Sequence, residues 1–368
     1  MTLYKATLFA SAALVAVQAL VIDPPSVHSS DAGGGDGQPS WYHLFNHPVH
    51  SLFRRQNGIP TDGHDYPAVG SSAWSSAYPQ STPDSASMPQ EWKDALNAAI
   101  QAGKIPDLPL SIIGSDGNPY YPGGLDPNGD EVCSGTYKCR IDGELWDAPD
   151  GHIGISFDDG PLPGSSDKLY SFMQENGVHG THFYIGTNIL WNYNEFLTAF
   201  QELGDDIAVH TWTHPYMTTL SNEDVLAELA WTMQIIHDST GGRIPRFWRP
   251  PYGDVDKRVF AIATEVLGLT TVLWNRDSED WSISTGATTL PDVVYAISEW
   301  VNGTQSPGLM ILEHELTDDT VSAFMQTYPF VVDHGWAVTS VAQLDGLDKP
   351  YQNAEGSTGE VWYVENVA

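Results

Sequence analysis

Two histidines four residues apart, His210 and His214, and two adjacent aspartates, Asp158 and Asp159, are the side chains whose types and spacing best suit metal chemistry. If residues 210–214 form one helical turn, both imidazoles lie on the same face. Adding one carboxylate gives three ligands for a divalent metal ion and leaves a position for water and substrate. The second aspartate is then free to act as a base on that water. The pattern predicts a metal-assisted hydrolase.

The aspartate pair ends a predicted strand, in the sequence Ser-Phe-Asp-Asp-Gly-Pro. Gly160 and Pro161 break the extended chain there, so two neighbouring carboxylates that would point in opposite directions in a strand can both face the site. Two acids in one site repel each other unless a cation intervenes. We therefore expect a metal ion beside Asp159 and a cationic partner beside Asp158. Taken alone, Asp-Asp-Gly-Pro is a common turn.

Two further strand ends carry a candidate cation and a candidate acid. Arg249 opens a rigid Arg-Pro-Pro-Tyr-Gly turn, from which it can pair with Asp158 and orient it. The same turn can aim the backbone N–H of Tyr252 at a developing oxyanion. His314 follows another strand, and Asp277 is its candidate partner, because a carboxylate raises the pKa of a histidine and fixes its orientation, as a general acid requires. The simpler interpretations are a surface salt bridge for the arginine and a structural role for the histidine.

Apolar and aromatic residues stand close to these charged groups. Trp281 and Leu312 are the candidates for a small pocket that holds a methyl group. Aromatic residues make up 11% of the chain, with 13 tryptophans, which suits a protein that offers exposed rings to a carbohydrate. The alternative is that most of the tryptophans belong to the core.

The elements that position these residues follow from the pattern of apolar residues. From about residue 152, short apolar runs alternate with helical patterns, which predicts parallel βαβ units. The predicted strands are 152–157, 180–185, 206–211, 246–248, 270–275, 308–314 and 336–341, and the predicted helices are 168–175, 195–203, 222–237, 256–266, 290–301 and 320–333. Each candidate residue lies at, or just past, the C-terminal end of a different strand, and active sites of βα barrels lie at that face. We predict an α/β barrel with fewer than the usual eight strands; an open doubly wound sheet is the alternative.

The remaining segments are assigned by composition. Apolar residues after Lys5 and the small residues before position 20 predict a secretory signal peptide. The segment that follows is rich in Gly, Ser, Pro, His and Asp, and Arg54-Arg55 within it offers a dibasic processing site. The predicted organisation is a signal peptide at 1–19, a low-complexity pro-segment or linker at 20–90, an N-terminal extension packing on the barrel at 91–150, the catalytic domain at 151–345 and a C-terminal tail at 346–368.

Charge and cysteine content limit the function classes. The chain has 15 Lys+Arg against 47 Asp+Glu, a formal net charge of -32, which disfavours nucleic acid and anionic lipid as partners. No apolar run reaches the roughly 20 residues of a transmembrane helix, and no oligomer is implied. Cys133 and Cys139, the only cysteines, are expected to pair in an oxidising compartment. Asn302 begins the only glycosylation sequon, so we expect a secreted protein of the extracellular space or cell wall.

Five segments carry the resemblance, in this order along the chain: 156–161, 210–214, 249–253, 277–281 and 312–315. They resemble the signature of the polysaccharide deacetylases, the NodB-homology domain of carbohydrate esterase family four, and look most like fungal chitin deacetylases. The resemblance covers about residues 151–344. It implies a distorted (β/α)7 barrel with parallel strands and metal-dependent removal of N- or O-acetyl groups from a polysaccharide. Ser156 stands where threonine is frequent in the family, which is the one departure.

The resemblance also implies a role for each candidate residue. Asp158 would be the base, oriented by Arg249, and His314 the acid, tuned by Asp277. The implied metal ligands are Asp159, His210 and His214, the Tyr252 amide would help hold the oxyanion, and Trp281 and Leu312 would line the acetate pocket. The implied metal is zinc, with cobalt or another divalent ion as an alternative.

The expected reaction is hydrolysis of the N-acetyl groups of chitin, or of chitin oligosaccharides, to chitosan and acetate. Acetylxylan and peptidoglycan are alternative substrates within the same chemistry. A non-catalytic carbohydrate-binding protein with a structural metal is the alternative from another class, and the complete set of acid, base and open metal site argues against it.

Overall fold

The computed structural model describes residues 47, 49–53, 66–344, 349–354 and 356–361. The predicted signal peptide at 1–19 and the predicted processing site at Arg54-Arg55 lie outside these residues. Among the described residues, no helix combines the length and the apolar composition needed to cross a membrane.

The strands of the described chain form a small ribbon and one large sheet. The strands are β1 Ile112–Ile113, β2 Pro119–Tyr120, β3 His152–Asp158, β4 Thr181–Tyr184, β5 Asp206–Val209, β6 Phe247–Trp248, β7 Thr270–Thr271, β8 Arg276–Asp277, β9 Leu309–Leu312 and β10 Ala337–Ser340. The α-helices are α1 Val49–Leu52, α2 Ser72–Ser75, α3 Gln90–Gln101, α4 Ser165–Asn176, α5 Gly186–Trp191, α6 Tyr193–Leu197, α7 Asn222–Ser239, α8 Lys257–Glu265, α9 Leu290–Val301 and α10 Asp318–Asp333. A π-helical turn, Thr198–Leu203, continues α6.

The large sheet is parallel throughout and has the order β7-β6-β5-β4-β3-β9-β8, with β10 also paired to β3. Every residue of β4, β5 and β9 is buried, as expected for parallel strands covered on both faces. The sheet is curled and carries helices between its strands. This confirms the predicted distorted (β/α)7 barrel and not the open doubly wound sheet.

The predicted strand at 270–275 is shorter in the structure: β7 covers only residues 270–271, and a separate strand, β8, begins after it at residue 276. β7 pairs with β6, and β8 pairs with β9, so the residues between them join the two ends of the sheet order. Leu145 inserts beside this link, donating its N–H to the Thr271 carbonyl at 2.9 Å and accepting the N–H of Leu273 at 2.7 Å. Leu145 therefore pairs with the chain directly after β7, where the predicted strand would have continued, and the link brings Asp277 to the same rim as the other strand ends.

Residues 66–90, part of the predicted pro-segment or linker at 20–90, pack on α7, as a linker would not. Trp74 is 1% exposed, and its indole N–H donates to Ser239 Oγ at 3.0 Å. Tyr78 is buried and donates to Asp238 Oδ2 at 3.0 Å. Apolar burial therefore anchors this segment on α7, although its Gly- and Ser-rich composition hides the anchors.

The C-terminal tail predicted at 346–368 also packs on the barrel where it is described. Tyr351 is 1% exposed, and its hydroxyl accepts the N–H of Ile207 at 3.2 Å. Asn353 accepts the N–H of Ile244 and donates to the Gly242 carbonyl, both at 2.8 Å. These contacts tie the tail to the start of β5 and to the approach to β6.

The only two cysteines of the chain, Cys133 and Cys139, are joined by a disulfide with a Cα–Cα distance of 5.0 Å. Asn302, the first residue of the sequon, is exposed directly after α9. Its glycosylation stays a prediction.

Candidate metal-binding active site

Three of the predicted residues, Asp159, His210 and His214, converge after β3 and β5. Asp159 Oδ1 lies 3.2 Å from His210 Nε2 and 3.1 Å from His214 Nε2. Ligand atoms about 2.0–2.1 Å from a tetrahedral zinc ion are about 3.3 Å apart, so these spacings fit one ion. Asp159 Oδ1 is buried and has no hydrogen bond to any described residue. An anionic oxygen left this way is costly unless a cation binds it, so the three residues fit a divalent metal.

The histidines approach each other through an irregular turn, and the predicted helical turn at 210–214 is wrong. Thr211 and His214 have positive φ values of 65° and 61°. The carbonyls of Thr211 and Trp212 accept the N–H groups of residues 186 and 187 at the start of α5. These two carbonyls therefore bond to a different segment of the chain and do not form the hydrogen bonds of a helical turn.

Glu228, on α7, holds the other side of this turn. Its buried carboxylate accepts the backbone N–H groups of Trp212 and Thr213 at 2.8 and 2.7 Å, and the Thr213 hydroxyl at 2.6 Å. Burial raises the pKa of Glu228, and these hydrogen bonds oppose that rise. The role of Glu228 could not be predicted from the sequence, because nothing about an acidic residue in a helix indicates that it will bind a turn sixteen residues earlier.

The second ring nitrogen of each histidine has a partner that orients the ring. His210 Nδ1 lies 2.7 Å from the backbone carbonyl of Arg249, and His214 Nδ1 lies 3.2 Å from the hydroxyl of Tyr252. A carbonyl can only accept, so His210 Nδ1 carries the proton and Nε2 offers its lone pair toward Asp159. Both imidazoles thus present Nε2 to the same point.

The predicted contact between Arg249 and Asp158 is confirmed. Arg249 Nη1 lies 2.6 Å from Asp158 Oδ1, and Nη2 donates to Ser156 Oγ at 3.0 Å. Arg249 is fully buried, with its guanidinium 4.2 Å from the centre of the Phe183 ring. The second oxygen, Asp158 Oδ2, lies 3.8 Å from His210 Nε2. One oxygen is therefore held by the arginine, while the other faces the metal-binding residues.

The predicted pairing of His314 with Asp277 is wrong, because the partner is Asp280. His314 Nδ1 lies 2.6 Å from Asp280 Oδ1, and the His314 backbone N–H donates to Asp280 Oδ2 at 2.9 Å. The chain turns after β8 through Glu279, whose φ is 55°, and this turn carries Asp280 into the interior while Asp277 stays exposed. Three acids lie within four residues of this segment, and sequence spacing does not show which of them turns inward.

The surroundings of His314 set its protonation. Burial lowers the pKa of this imidazole, but the charge and hydrogen bond of Asp280, with smaller contributions from Asp159 and Asp158, outweigh burial and raise the pKa to about 10. Behind it, burial and the charge of Asp280 raise the pKa of Glu313 to about 8. The charged form of His314 is therefore the form that Asp280 stabilises.

These groups meet in one cavity of about 350 Å³. It is lined by Asp158, Asp159, His210, His214, Tyr216, Pro250, Tyr252, Trp274, Asp277, Trp281, Leu312 and His314. Tyr252 and Trp281 are 50% and 46% exposed at its mouth, whereas Leu312 is buried. Every predicted catalytic, binding and metal residue except Arg249 lines this cavity, and Arg249 lies behind Asp158.

Tyr216 and Trp274 also line the cavity and were missed in the sequence. The Tyr216 ring stacks on the Tyr252 ring, with centroids 4.0 Å apart and planes 13° apart. Tyr216 lies two residues after His214, and this closeness to a predicted metal ligand was the only indication in the sequence that Tyr216 belongs to the site. Trp274 gave none, because it falls within an apolar run that predicts a strand.

Left-handed backbone concentrates in this site. Asp159, Thr211, His214, Tyr252 and Glu279 all have φ between 55° and 73°. Residues other than glycine adopt this region rarely and at a cost, and such residues persist where surrounding contacts hold them. Here the strained residues are the ones that carry, or lie beside, the candidate functional groups.

Comparisons with known proteins agree with this geometry. A family model described as polysaccharide deacetylase matches residues 147–272. The chain is 41% identical over 334 residues to chitin deacetylase 3 of Cryptococcus neoformans, covering 89% of this chain and 78% of that protein. It is 33% identical over 293 residues to the chitin deacetylase of Amylomyces rouxii, covering 76% of this chain and 68% of that protein.

Among solved structures, the chain is similar to the chitin deacetylase of the fungal pathogen Colletotrichum lindemuthianum. The TM-score is 0.51 at 21% sequence identity, with coverage of 56% of this chain and 94% of that chain. A likeness at this level of identity supports the barrel fold.

Proposed function

The chain belongs to the polysaccharide deacetylase family, and we propose that it is a metal-dependent hydrolase that removes N-acetyl groups from chitin to give chitosan and acetate. The relatives from Cryptococcus neoformans and Amylomyces rouxii are named chitin deacetylases, which supports chitin as the substrate. One observation carries the proposal. A three-residue metal site, an arginine-held carboxylate and a carboxylate-held imidazole line or adjoin the same cavity.

Asp158 is the proposed base. Arg249 holds Oδ1, so Oδ2 is the oxygen directed at the cavity side, near His210. A guanidinium that binds one oxygen of a carboxylate fixes the orientation of that group, and the other oxygen can still accept a proton. In the proposed reaction, this oxygen takes the proton of the attacking water.

His314 is the proposed acid. Its Nδ1 is bound to Asp280, so Nε2 is the nitrogen left to donate a proton into the cavity. An amine is a poor leaving group, and the C–N bond breaks only as the nitrogen gains a proton. His314 would supply this proton to the glucosamine nitrogen as acetate departs.

Asp159, His210 and His214 are the proposed ligands of the metal, which we expect to be zinc. When bound, the ion supplies Lewis acidity for the carbonyl oxygen and lowers the pKa of water from about 15.7 toward about 7. The backbone N–H of Tyr252 is the proposed second donor to the oxyanion. A donor of this kind contributes about 3 kcal/mol to transition-state stabilisation.

The remaining lining residues suit the substrate. Leu312, buried at the base, and Trp281, half exposed, offer apolar contact for the acetyl methyl group. The half-exposed ring of Tyr252 lies at the mouth, where a sugar ring would enter. We also propose that the protein is secreted, which the apolar N-terminal segment, the Cys133–Cys139 disulfide and the exposed sequon support.

The proposal is tested by acetate release from a defined chitin oligomer before and after chelation, with zinc or cobalt then added back. We expect release to stop on chelation and return with the metal. The same protein should be assayed on acetylxylan and peptidoglycan. If no acetate were released from chitin, acetylxylan or peptidoglycan in the presence of zinc or cobalt, the proposed activity would be overturned.

A further inference from the structure

The side chain next to the candidate acid, Glu315, is buried within a polar cluster that the proposed chemistry does not use. Its Oε2 accepts the hydroxyls of Ser166 at 2.5 Å and Tyr170 at 3.0 Å, and its Oε1 lies 2.8 Å from His182 Nδ1. Glu315 and His182 are both completely buried. A buried carboxylate with this many partners is held in one position.

His182, on β4, links Glu315 to a second buried acid. Its other nitrogen, Nε2, lies 3.1 Å from Asp205 Oδ2, so both ring nitrogens face carboxylates. Burial lowers the pKa of His182, but Glu315 and Asp205 outweigh it and raise the pKa to about 10. We name Asp205, His182 and Glu315 the buried triad; it contains one cation between two anions.

The backbone of Glu315 connects this triad to the strand end that carries the base. Its N–H donates to the Asp158 carbonyl at 3.1 Å, and its own carbonyl accepts the Ser165 hydroxyl at 2.7 Å. The Asp158 N–H in turn donates to the Glu313 carbonyl at 3.0 Å. Both backbone polar groups of Asp158 therefore bond to residues 313–315, the segment that also carries His314.

The Glu315 side chain also supports the turn that carries the metal ligand Asp159. A Cβ added at Gly160 would overlap the Glu315 carboxylate, so the turn passes directly against it. Glu315 thus contacts the residue after Asp159, bonds to the backbone of Asp158 and immediately follows His314. Through its backbone and its side chain together, this one residue adjoins the base, the acid and the turn of a metal ligand.

We propose that Glu315 is a positioning residue, which, anchored by His182, sets the relative positions of Asp158, Asp159 and His314. This inference rests on the proposed deacetylase function. Side chains that orient metal ligands and catalytic groups from behind typically change metal affinity or activity by about 10–100-fold when they are replaced. Neither Glu315 nor His182 lines the cavity, so neither is expected to contact substrate.

Glu315→Gln is the main variant. It leaves His182 paired with Asp205, so no buried charge is left unpaired. The amide oxygen can still accept hydrogen bonds from the hydroxyls of Ser166 and Tyr170. A neutral amide cannot stabilise the charged His182 imidazole as a carboxylate does, so the side chain at position 315 should move. Asn353→Ala is the control, because it removes two buried hydrogen bonds from the C-terminal segment, away from the cavity.

Four quantities are measured for each variant: the unfolding midpoint, the affinity for zinc by competition with a chelator, and kcat and KM for acetate release. We expect Glu315→Gln to fold, to bind zinc about tenfold more weakly and to lose about tenfold in kcat, with KM changed by less than about twofold. The control should keep wild-type zinc affinity and kcat even if its unfolding midpoint falls.

Zinc affinity and kcat of Glu315→Gln both within about twofold of wild type would overturn the positioning role. Equal losses of zinc affinity and kcat in Asn353→Ala would also overturn it, because reduced stability alone would then explain the losses. Zinc binding separates this inference from the proposed function. If wild type released no acetate from any substrate but Glu315→Gln still weakened zinc binding, the deacetylase proposal would fail and the positioning of Asp159 would stand.

Discussion

The imidazole of His314 and the carboxylate of Asp280 are joined at 2.6 Å, and the two side chains are only 9% and 0% exposed. Asp280 also accepts the backbone N–H of His314, so one carboxylate fixes both the ring and the main chain that carries it. An exposed pair of this kind contributes little, but at this depth the aspartate decides which form of the histidine is stable.

Asp280→Asn should therefore reduce kcat strongly, while Asp277→Asn, the same change three residues earlier, should not. Asparagine cannot stabilise the charged imidazole, and a positioned general acid contributes about 10²–10⁴-fold, so we expect a loss of at least about a hundredfold. Asp277 is exposed and bonds to the Glu279 N–H, so its variant should stay within about fivefold of wild type. Steady-state acetate release measures both. A greater loss in Asp277→Asn would restore the pairing that the sequence suggested.

His314→Ala should affect amide substrates more than ester substrates. An amine must be protonated to leave, whereas an alcohol or phenol depends less on protonation. Loss of the acid should therefore slow mainly the cleavage of C–N bonds. The ratio of kcat/KM for an N-acetyl oligosaccharide to that for an O-acetyl ester should fall by at least about tenfold. Equal losses on the two substrates would contradict the acid role and leave the histidine a general stabiliser of the site.

Asp159→Asn should remove the metal from the protein. The neutral amide loses the charge that complements a divalent ion, and one of only three protein ligands is weakened. Metal content after dialysis, measured by elemental analysis, should fall from one zinc per chain to near zero. Asp292→Asn, on the exposed start of α9, is the matched control and should retain the metal. Stoichiometric zinc in Asp159→Asn would exclude that residue as a ligand.

The positions of the candidate residues were predictable, but some of their contacts were not. The sequence locates Asp158, His210, Arg249 and His314 because each lies at, or just past, the C-terminal end of a strand whose apolar run is visible. The conformation of the 210–214 turn depends on Glu228, a residue of a different element, and no local pattern reports such a contact.

The prediction of Asp277 as the partner of His314, in place of Asp280, was wrong for a similar reason. It depends on one left-handed residue, Glu279, and a glutamate in that conformation carries no signal in the sequence. The packing of residues 66–90 was missed because Trp74 and Tyr78 are isolated aromatics without periodicity, and periodicity is what predicts a buried element.

Stability should depend on pH through Glu313. Burial and Asp280 raise its pKa to about 8 in the folded protein, against an ordinary value of 4.5. Between these two values the unfolded chain has lost the proton that the folded chain keeps, so the free energy of unfolding falls as pH rises, by about 1.4 kcal/mol per pH unit. This contribution is fully present below pH 4.5 and is lost by about pH 8.

Glu313→Gln should remove that slope, because an amide does not titrate. Urea unfolding of wild type and variant from pH 5 to pH 8 would measure the difference. The raised pKa of His182 affects both proteins alike, so subtracting the two curves leaves the contribution of Glu313 together with its interaction with His314. Parallel curves across this interval would show that Glu313 does not carry the pH dependence.

Trp74→Ala should destabilise the whole protein if residues 66–90 are part of the fold. The indole is 1% exposed, packs at 5.6 Å from the ring of Tyr78 and donates to Ser239. Truncating a buried tryptophan costs about 3–5 kcal/mol. Trp191→Ala is the matched control, because that ring is 60% exposed, and its effect should stay within about 0.5 kcal/mol. Both values come from denaturant titration of the purified chain. Similar small effects for the two tryptophans would mean that the segment is dispensable for stability and would restore its interpretation as a linker.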